Sequence, residues 1–385
     1  MIDAEGPHSR GQILIITALM LAVVFVGLAL VLNSAIYTEN LSTREVGSST
    51  APLSEDEVTQ ERLAESMAMA NYHSETAGYA DRRSIIKANA TTWGSNRASA
   101  NAIEGQSRSF ELLAMTNGTR VVQRETDGFM PGDPDIADAI TDITIDPLGI
   151  EDRTTWLVAS NVSTRGYTMT AKRDSLDETR DGFVDPLIDG VDWVLTGGDE
   201  FAVQTRRNAD EDEMWRIYLV DDVDNASVAA VVTKKEGDDE VLQGVCSAPG
   251  DSVTIRYTAG ELIGENGETV ACPELEAAFG NERNDIFYVG ADRINGSYEF
   301  MADIEEEEFE TRVNEEYEDD GLIGSVLDTL TCIVDPDVSC NPEVYDTSPS
   351  NNSPYLTKSI YDASMRITYR DDRIVFTRNK TIIPE

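Results

Sequence analysis

Histidine, lysine and closely spaced cysteine are all scarce in this chain of 385 residues, and each scarcity removes a class of chemistry. Two histidines, His8 and His73, are too few for a multi-histidine metal site, and only His73 lies in the body of the chain. Lysine occurs only at Lys87, Lys172, Lys234, Lys235, Lys358 and Lys380; the remaining basic residues are arginine. Without clustered lysine and arginine nothing neutralises a run of phosphates, which argues against nucleic acid as a partner. The four cysteines, Cys246, Cys272, Cys332 and Cys340, do not form the close pairs that a zinc site needs. No Gly-Lys-Ser/Thr phosphate loop and no dinucleotide fingerprint occurs, so the sequence offers nothing for an assembly ATPase. Long apolar runs are missing too, with one exception near the N-terminus.

That exception, Ile13 to Leu32, reads ILIITALMLAVVFVGLALVL, with Thr17 as its only polar side chain. Twenty residues at helical rise span about 30 Å, the hydrocarbon thickness of a bilayer. A cleaved secretory signal has a shorter apolar core and a small-x-small cleavage site; here the nearest candidate ends at Ala35 with a poor Asn33 three positions back. A plain signal anchor fits the length, and Arg10 at its head holds the leader in the cytoplasm with the body outside. A third reading rests on the junction Arg10-Gly11-Gln12 itself.

Arg10-Gly11-Gln12 followed directly by the apolar run resembles the class III signal of archaeal pilins and archaellins. The resemblance implies a peptidase that cuts after Gly11 and leaves the helix on the mature protein. The junction and the segment through Asn33-Ser34-Ala35-Ile36-Tyr37-Thr38-Glu39-Asn40-Leu41 also look like the start of Tad-type pilus proteins and of surface proteins of salt-loving archaea. Many pilins carry Glu at the fifth mature position, which here is Ile16. That departure points to a minor or accessory subunit over a bulk one. Ala18, Ala22 and Ala29 share one stripe of the helix, where a neighbouring helix can approach closely.

Thirty basic residues face 72 acidic ones, a net charge of −42. Self-repulsion of this size disfavours a compact state unless salt screens it, and at 1 M salt the Debye length is about 3 Å. Acidity with scarce lysine suits molar-salt surroundings. In an extracellular body the cysteines favour two local disulfides, Cys246–Cys272 and Cys332–Cys340, with two other connectivities open. Asn-x-Ser/Thr occurs at Asn40, Asn89, Asn117, Asn161, Asn225, Asn295, Asn351 and Asn379, which fits a glycosylated surface protein.

The body changes character near residue 120. Ser54-Glu55-Asp56-Glu57 is a capping box that opens a helical stretch, after a hinge at 49–52. Leu63, Met67, Ala70, Tyr79, Ile85 and Ile86 give it a broken apolar face, and a second helix is predicted over roughly 99–115 from Ile103, Phe110, Leu113 and Ala114. From about 121 the period shifts towards two. Hairpins are predicted at 155–170 around Arg165-Gly166, at 215–233 across Asp221-Asp222, at 285–304 around Asn295-Gly296, and at 363–377, with a further strand at 252–258. The plan is therefore α+β: a leader at 1–11, a transmembrane, pilin-like helix at 12–36, a helical connector at 37–120, and an antiparallel β-rich domain, sandwich or meander, at 121–385.

Catalytic patterns are thin. Ser84-Ile85-Ile86-Lys87 has a Ser-x-x-Lys spacing without its companion motifs, and His73 reads as an ordinary helix residue. Carboxylates gather at Asp133–Asp138, Asp181–Asp192, Asp221–Asp224 and Glu305–Glu308, where calcium is the one conceivable cofactor, yet no twelve-residue calcium loop occurs. The expectation is a non-enzymatic, membrane-anchored archaeal surface protein: a minor pilin-like or Tad-like component of a type IV pilus-like filament or its assembly platform. Its partners would be other pilin-like or membrane subunits that pack on the N-terminal helix. The alternative is a single-pass surface protein whose β domain binds a ligand or another surface protein.

Overall fold

The computed structural model describes residues 58–103, 107–132, 154–177, 200–207, 213–237, 239–280, 282–319, 344–346, 349, 353–370 and 375–383, with Met20, Leu21 and Phe25. The chain divides into two compact units, Met1–Arg62 and Leu63–Glu385. In the first, the described residues, those three and 58–62, are helical. The leader, most of the segment 12–36, the hinge and the capping box at Ser54 lie outside the described residues. Among the described residues no helix is long and apolar enough to cross a membrane.

The second unit is mostly antiparallel β-sheet with a few helices. Helical residues 63–72 (α1) and Tyr79–Ile103 (α2) lead into β1 (Ser107–Asp127), β2 (Thr155–Val162), β3 (Thr164–Lys172) and β4 (Ala202–Arg207). Then follow β5 (Met214–Asp222), β6 (Ser227–Glu236), β7 (Asp239–Pro249), β8 (Ser252–Arg256), β9 (Glu261–Ile263), β10 (Thr269–Ala271) and α3 (Pro273–Phe279). The last elements are β11 (Asn284–Val289), β12 (Asn295–Ala302), α4 (Glu306–Asp319), β13 (Tyr355–Arg370) and β14 (Val375–Ile382). One sheet has eight strands in the order β10-β9-β8-β3-β12-β1-β13-β14; the other has six, β2-β11-β4-β5-β6-β7.

Side-chain alternation explains how the two sheets meet. In β3, Tyr167, Met169 and Ala171 are buried while Thr168, Thr170 and Lys172 are only half-buried, the signature of a strand with one face on a core. These residues share a single buried cluster with Trp156, Val203, Ile217, Leu219 and Tyr288 of the six-stranded sheet, so the sheets pack face to face as a sandwich. Strands β5 and β6 break the alternation. Ile217, Leu219, Val228 and Ala230 belong to the sandwich core, while Tyr218, Val220, Ala229 and Val231 form a second buried cluster on the opposite face. A strand covered on both faces reads as a nearly continuous apolar run, as both of these do.

Two predicted hairpins are realised: β5 pairs with β6, and β13 pairs with β14. Two others are corrected. Residues 155–170 do not fold back on themselves; β2 and β3 lie in different sheets, joined through Ser163, and Arg165-Gly166 falls inside β3. Likewise β11 and β12 lie in different sheets, and the chain turns at Gly290 and Ala291–Arg293, before Asn295-Gly296. Gly296 marks a close backbone approach instead of a turn: a Cβ there would fall 1.8 Å from the carbonyl oxygen of Thr170. A short connection between apolar runs signals a sharp corner, and in a sandwich that corner often switches sheets.

The helix predicted over 99–115 holds as far as Ile103, the end of α2, and is corrected beyond it. Residues 107–115 open the long strand β1, which pairs with β12 on one side and β13 on the other. The helical appearance has an identifiable cause. Phe110, Leu113 and Ala114 have helical spacing, but Leu113 is an exposed bulge residue of β1, and it is Phe110, Leu112 and Met115 that pack with α1 and α2.

Candidate functional site

The helices join the sheet through a set of specific polar contacts. Leu63, Met67, Ala70 and Ile86 pack with Ile360, Ala363, Met365 and Ile367 of β13, so apolar burial sets the layer down. Register is then fixed by hydrogen bonds. A second bulge leaves Tyr361 of β13 without a partner on β1. Beside it the buried Asn71 donates from Nδ2 to the Ile360 carbonyl at 2.9 Å, and its Oδ1 accepts the Ile360 N–H at 2.8 Å. An amide side chain thus does what a neighbouring strand would do.

The end of α1 is closed by a residue twelve positions on. The buried Arg82 donates Nη1 to the carbonyls of Ala70 (2.6 Å) and Asn71, and Nη2 to that of Ser74 (2.7 Å). A helix C-terminus leaves its last carbonyls unpaired, and a guanidinium there both bonds them and matches the negative end of the dipole. Tyr72 donates its hydroxyl to Glu299 at 2.8 Å, and Arg120 pairs with the same carboxylate while lying 4.1 Å over the Tyr72 ring. Burial, then the Glu299 charge, pushes the Tyr72 phenol up to about 12. Glu75, just past α1, accepts from Arg124 Nη2 on both carboxylate oxygens at 2.8 Å and from the Tyr355 hydroxyl at 2.8 Å. The Arg124 hydrogen bonds hold its carboxyl below the usual range. Finally, Tyr79 of α2 accepts the first backbone N–H of α4, from Glu306, at 2.9 Å. Of these residues only Ala70 and Tyr79, as apolar positions, and Glu306, within the acidic run Glu305–Glu308, stand out in the sequence.

The residues that sequence motifs did single out are scattered. Arg10, Gly11 and Gln12 lie outside the described residues, as do Cys332, Cys340, Asn40, Asn351 and the carboxylate groups at 133–138 and 181–192. Cys246 of β7 and Cys272 at the head of α3 are bonded, with Cα atoms 5.9 Å apart, and tie the six-stranded sheet to that helix. Glu274 sits beside them, the nearest approach to a metal-ligand group among the described residues, but both sulfurs are committed to each other. His73 is exposed at the bend after α1, so its helical placement is corrected; Ser84 and Lys87 are exposed on α2. Asn89, Asn161, Asn225 and Asn379 are exposed on four different elements, whereas Asn117 and Asn295 are half-buried and Asn117 donates to Glu305 at 2.7 Å.

Several of the described carboxylates have structural partners. Asp222 accepts from Asn225 Nδ2 (2.8 Å) and Ser227 Oγ (3.2 Å), which shapes the β5–β6 turn. Asp221 and Asp251 flank Arg173, Asp285 pairs with Arg206 at 3.0 Å, and Glu308 pairs with Arg312 one helical turn on. These arginines are therefore paired with carboxylates of the same chain. Such an arrangement suits a solvated body.

Comparison with protein-family models and with curated proteins finds no match for the chain.

Proposed function

We propose that the chain is a pilin-like component of a cell-surface filament or of its assembly platform, a minor subunit carried by its N-terminal apolar helix with the β-rich unit outside the cell. The observation that carries this reading is Arg10-Gly11-Gln12 set directly against the run Ile13–Leu32. A helix this apolar is stable only in lipid or against other apolar helices, so after export it is either an anchor or a packing element. The bonded cysteines and the strongly acidic composition fit an oxidising, salt-rich exterior. The polar ties between α1, α2 and the sheet give the reading a mechanical rationale, because they fix the helices that precede the sandwich to the sandwich itself.

Substitution Gly11→Val tests it. Under this reading the variant accumulates in the membrane about eleven residues longer than the wild-type chain and disappears from sheared surface material. An unchanged size and distribution would refute processing at this junction and leave a plain membrane anchor. That second reading, an anchored protein whose β domain binds a ligand, is favoured by one observation: a cavity of about 1010 Å³ in the β-rich unit.

A further inference from the structure

The cavity is a trough on the outward face of the eight-stranded sheet. Its floor contains a row of directly paired residues, Glu299 of β12, Thr168 of β3, Arg256 of β8 and Glu261 of β9. Their strand neighbours Tyr298, Tyr167, Met169, Ile255 and Leu262 point the other way, into the sandwich core. Tyr72 and Ile383 line it with partly exposed apolar surface, and the exposed Glu276 of α3 offers carboxylate oxygens. At about 1010 Å³ it sits at the upper end of ordinary ligand sites.

One side chain in the trough differs from the other arginines around it. Arg256 is paired with Glu261 at 2.8 Å, and nearby Arg120 is paired with Glu299. Arg165 meets no carboxylate among the described residues. It lies 4.3 Å over the ring of Tyr361, and its Nη1, although buried, has no hydrogen-bond acceptor. In a chain of net charge −42 this arginine has no carboxylate beside it among the described residues, and a guanidinium packed over a ring can offer its N–H groups to a carboxylate. Close by, Thr258 Oγ1 accepts the Tyr167 N–H at 3.1 Å, which leaves its own proton to donate. Gly166, at φ +57°, has nothing within 4 Å of where a Cβ would stand, so the space beside Arg165 is open.

Fixed donors, fixed acceptors and a little apolar surface side by side are what a polyhydroxylated ring requires, because each sugar hydroxyl both donates and accepts while its C–H face seeks an apolar wall. We infer that the trough is a binding site for an acidic saccharide, with the uronate carboxylate on Arg165 and ring hydroxyls on Thr258, Arg256 and Glu276. This inference does not depend on how the N-terminal helix is processed.

The full-length protein in detergent, titrated with D-glucuronate, D-glucose and acetate and followed by ligand-observed NMR, tests the proposal. Glucuronate should bind saturably and at least tenfold more tightly than either glucose or acetate. Arg165→Gln should abolish the preference for glucuronate over glucose. Gly166→Asn, chosen because asparagine tolerates positive φ, should weaken both sugars by occluding the trough, and it decides the matter if the arginine variant does not fold. Absence of saturable sugar binding, acetate binding as tight as glucuronate, or sugar binding unchanged in folded Gly166→Asn would each overturn the proposal.

Discussion

The sandwich core and the helix-to-sheet joint are held by different physics. Between the sheets, Phe129, Tyr288 and Tyr298 contact one another at centroid separations of 5.0–5.8 Å, and Trp156 meets Tyr288 edge to face at 5.8 Å. The hydroxyls of Tyr167 and Tyr288 pair at 2.6 Å, and burial pushes both phenols well above their ordinary range. That region is apolar area and shape, and neither salt nor moderate pH reaches it. At the joint a modest apolar contact is supplemented by Asn71, Arg82, Tyr72 and Glu75, each with a named partner. The core makes the β unit stable; the joint makes the placement of α1 and α2 specific. The joint is also the part that solution conditions should be able to alter.

The largest expected effect lies in the sandwich. Gly296→Ala would set a methyl 1.8 Å from the Thr170 carbonyl, forcing β3 and β12 apart, and should cost about 4 kcal/mol or more in urea unfolding. Next, removal of the Cys246–Cys272 bond by the double alanine variant should cost about 3 kcal/mol, the chain-entropy value for a loop of this size. Asn71→Ala acts at the joint and leaves the Ile360 N–H and C=O without their side-chain partner. A loss of about 2 kcal/mol is expected, with amide exchange of α1 accelerated well before that of β3 and β12. Equal acceleration in both regions would show that joint and core are one cooperative unit and dissolve the comparison.

The smallest effect is in the pH dependence. Glu75 has a folded pKa below its unfolded value, so its contribution is complete above the ordinary carboxylate pKa of about 4.3 and fades as pH falls through the folded value. Glu75→Gln should therefore be slightly less stable than wild type at pH 7, with the gap narrowing as pH falls below the ordinary carboxylate range. A gap that stays constant as the acid range is crossed would mean that the side chain acts through packing and not through its charge.

Much of this fold was legible, and what was not failed for nameable reasons. Hairpins β5–β6 and β13–β14 showed themselves because their turns join neighbouring strands of one sheet. The β2–β3 and β11–β12 corners gave the same local signal, and nothing local distinguishes a hairpin from a change of sheet. Leu113 concealed a strand because a single bulge residue imitates helical spacing. The Cys246–Cys272 pair was the natural choice by proximity in sequence. Asn71, Glu75 and Arg82 were invisible and Arg165 showed only as an expected turn residue, since their partners lie eight to almost three hundred residues away and ordinary polar residues carry no motif.

The account as a whole turns on the fate of the segment before this unit, and mass spectrometry of the mature N-terminus, on membrane and sheared-surface fractions of native material, tests it most directly. A chain that begins at Gln12 in both fractions is the predicted result. A native chain that begins beyond Asn33, released into the medium without the apolar helix, would contradict it.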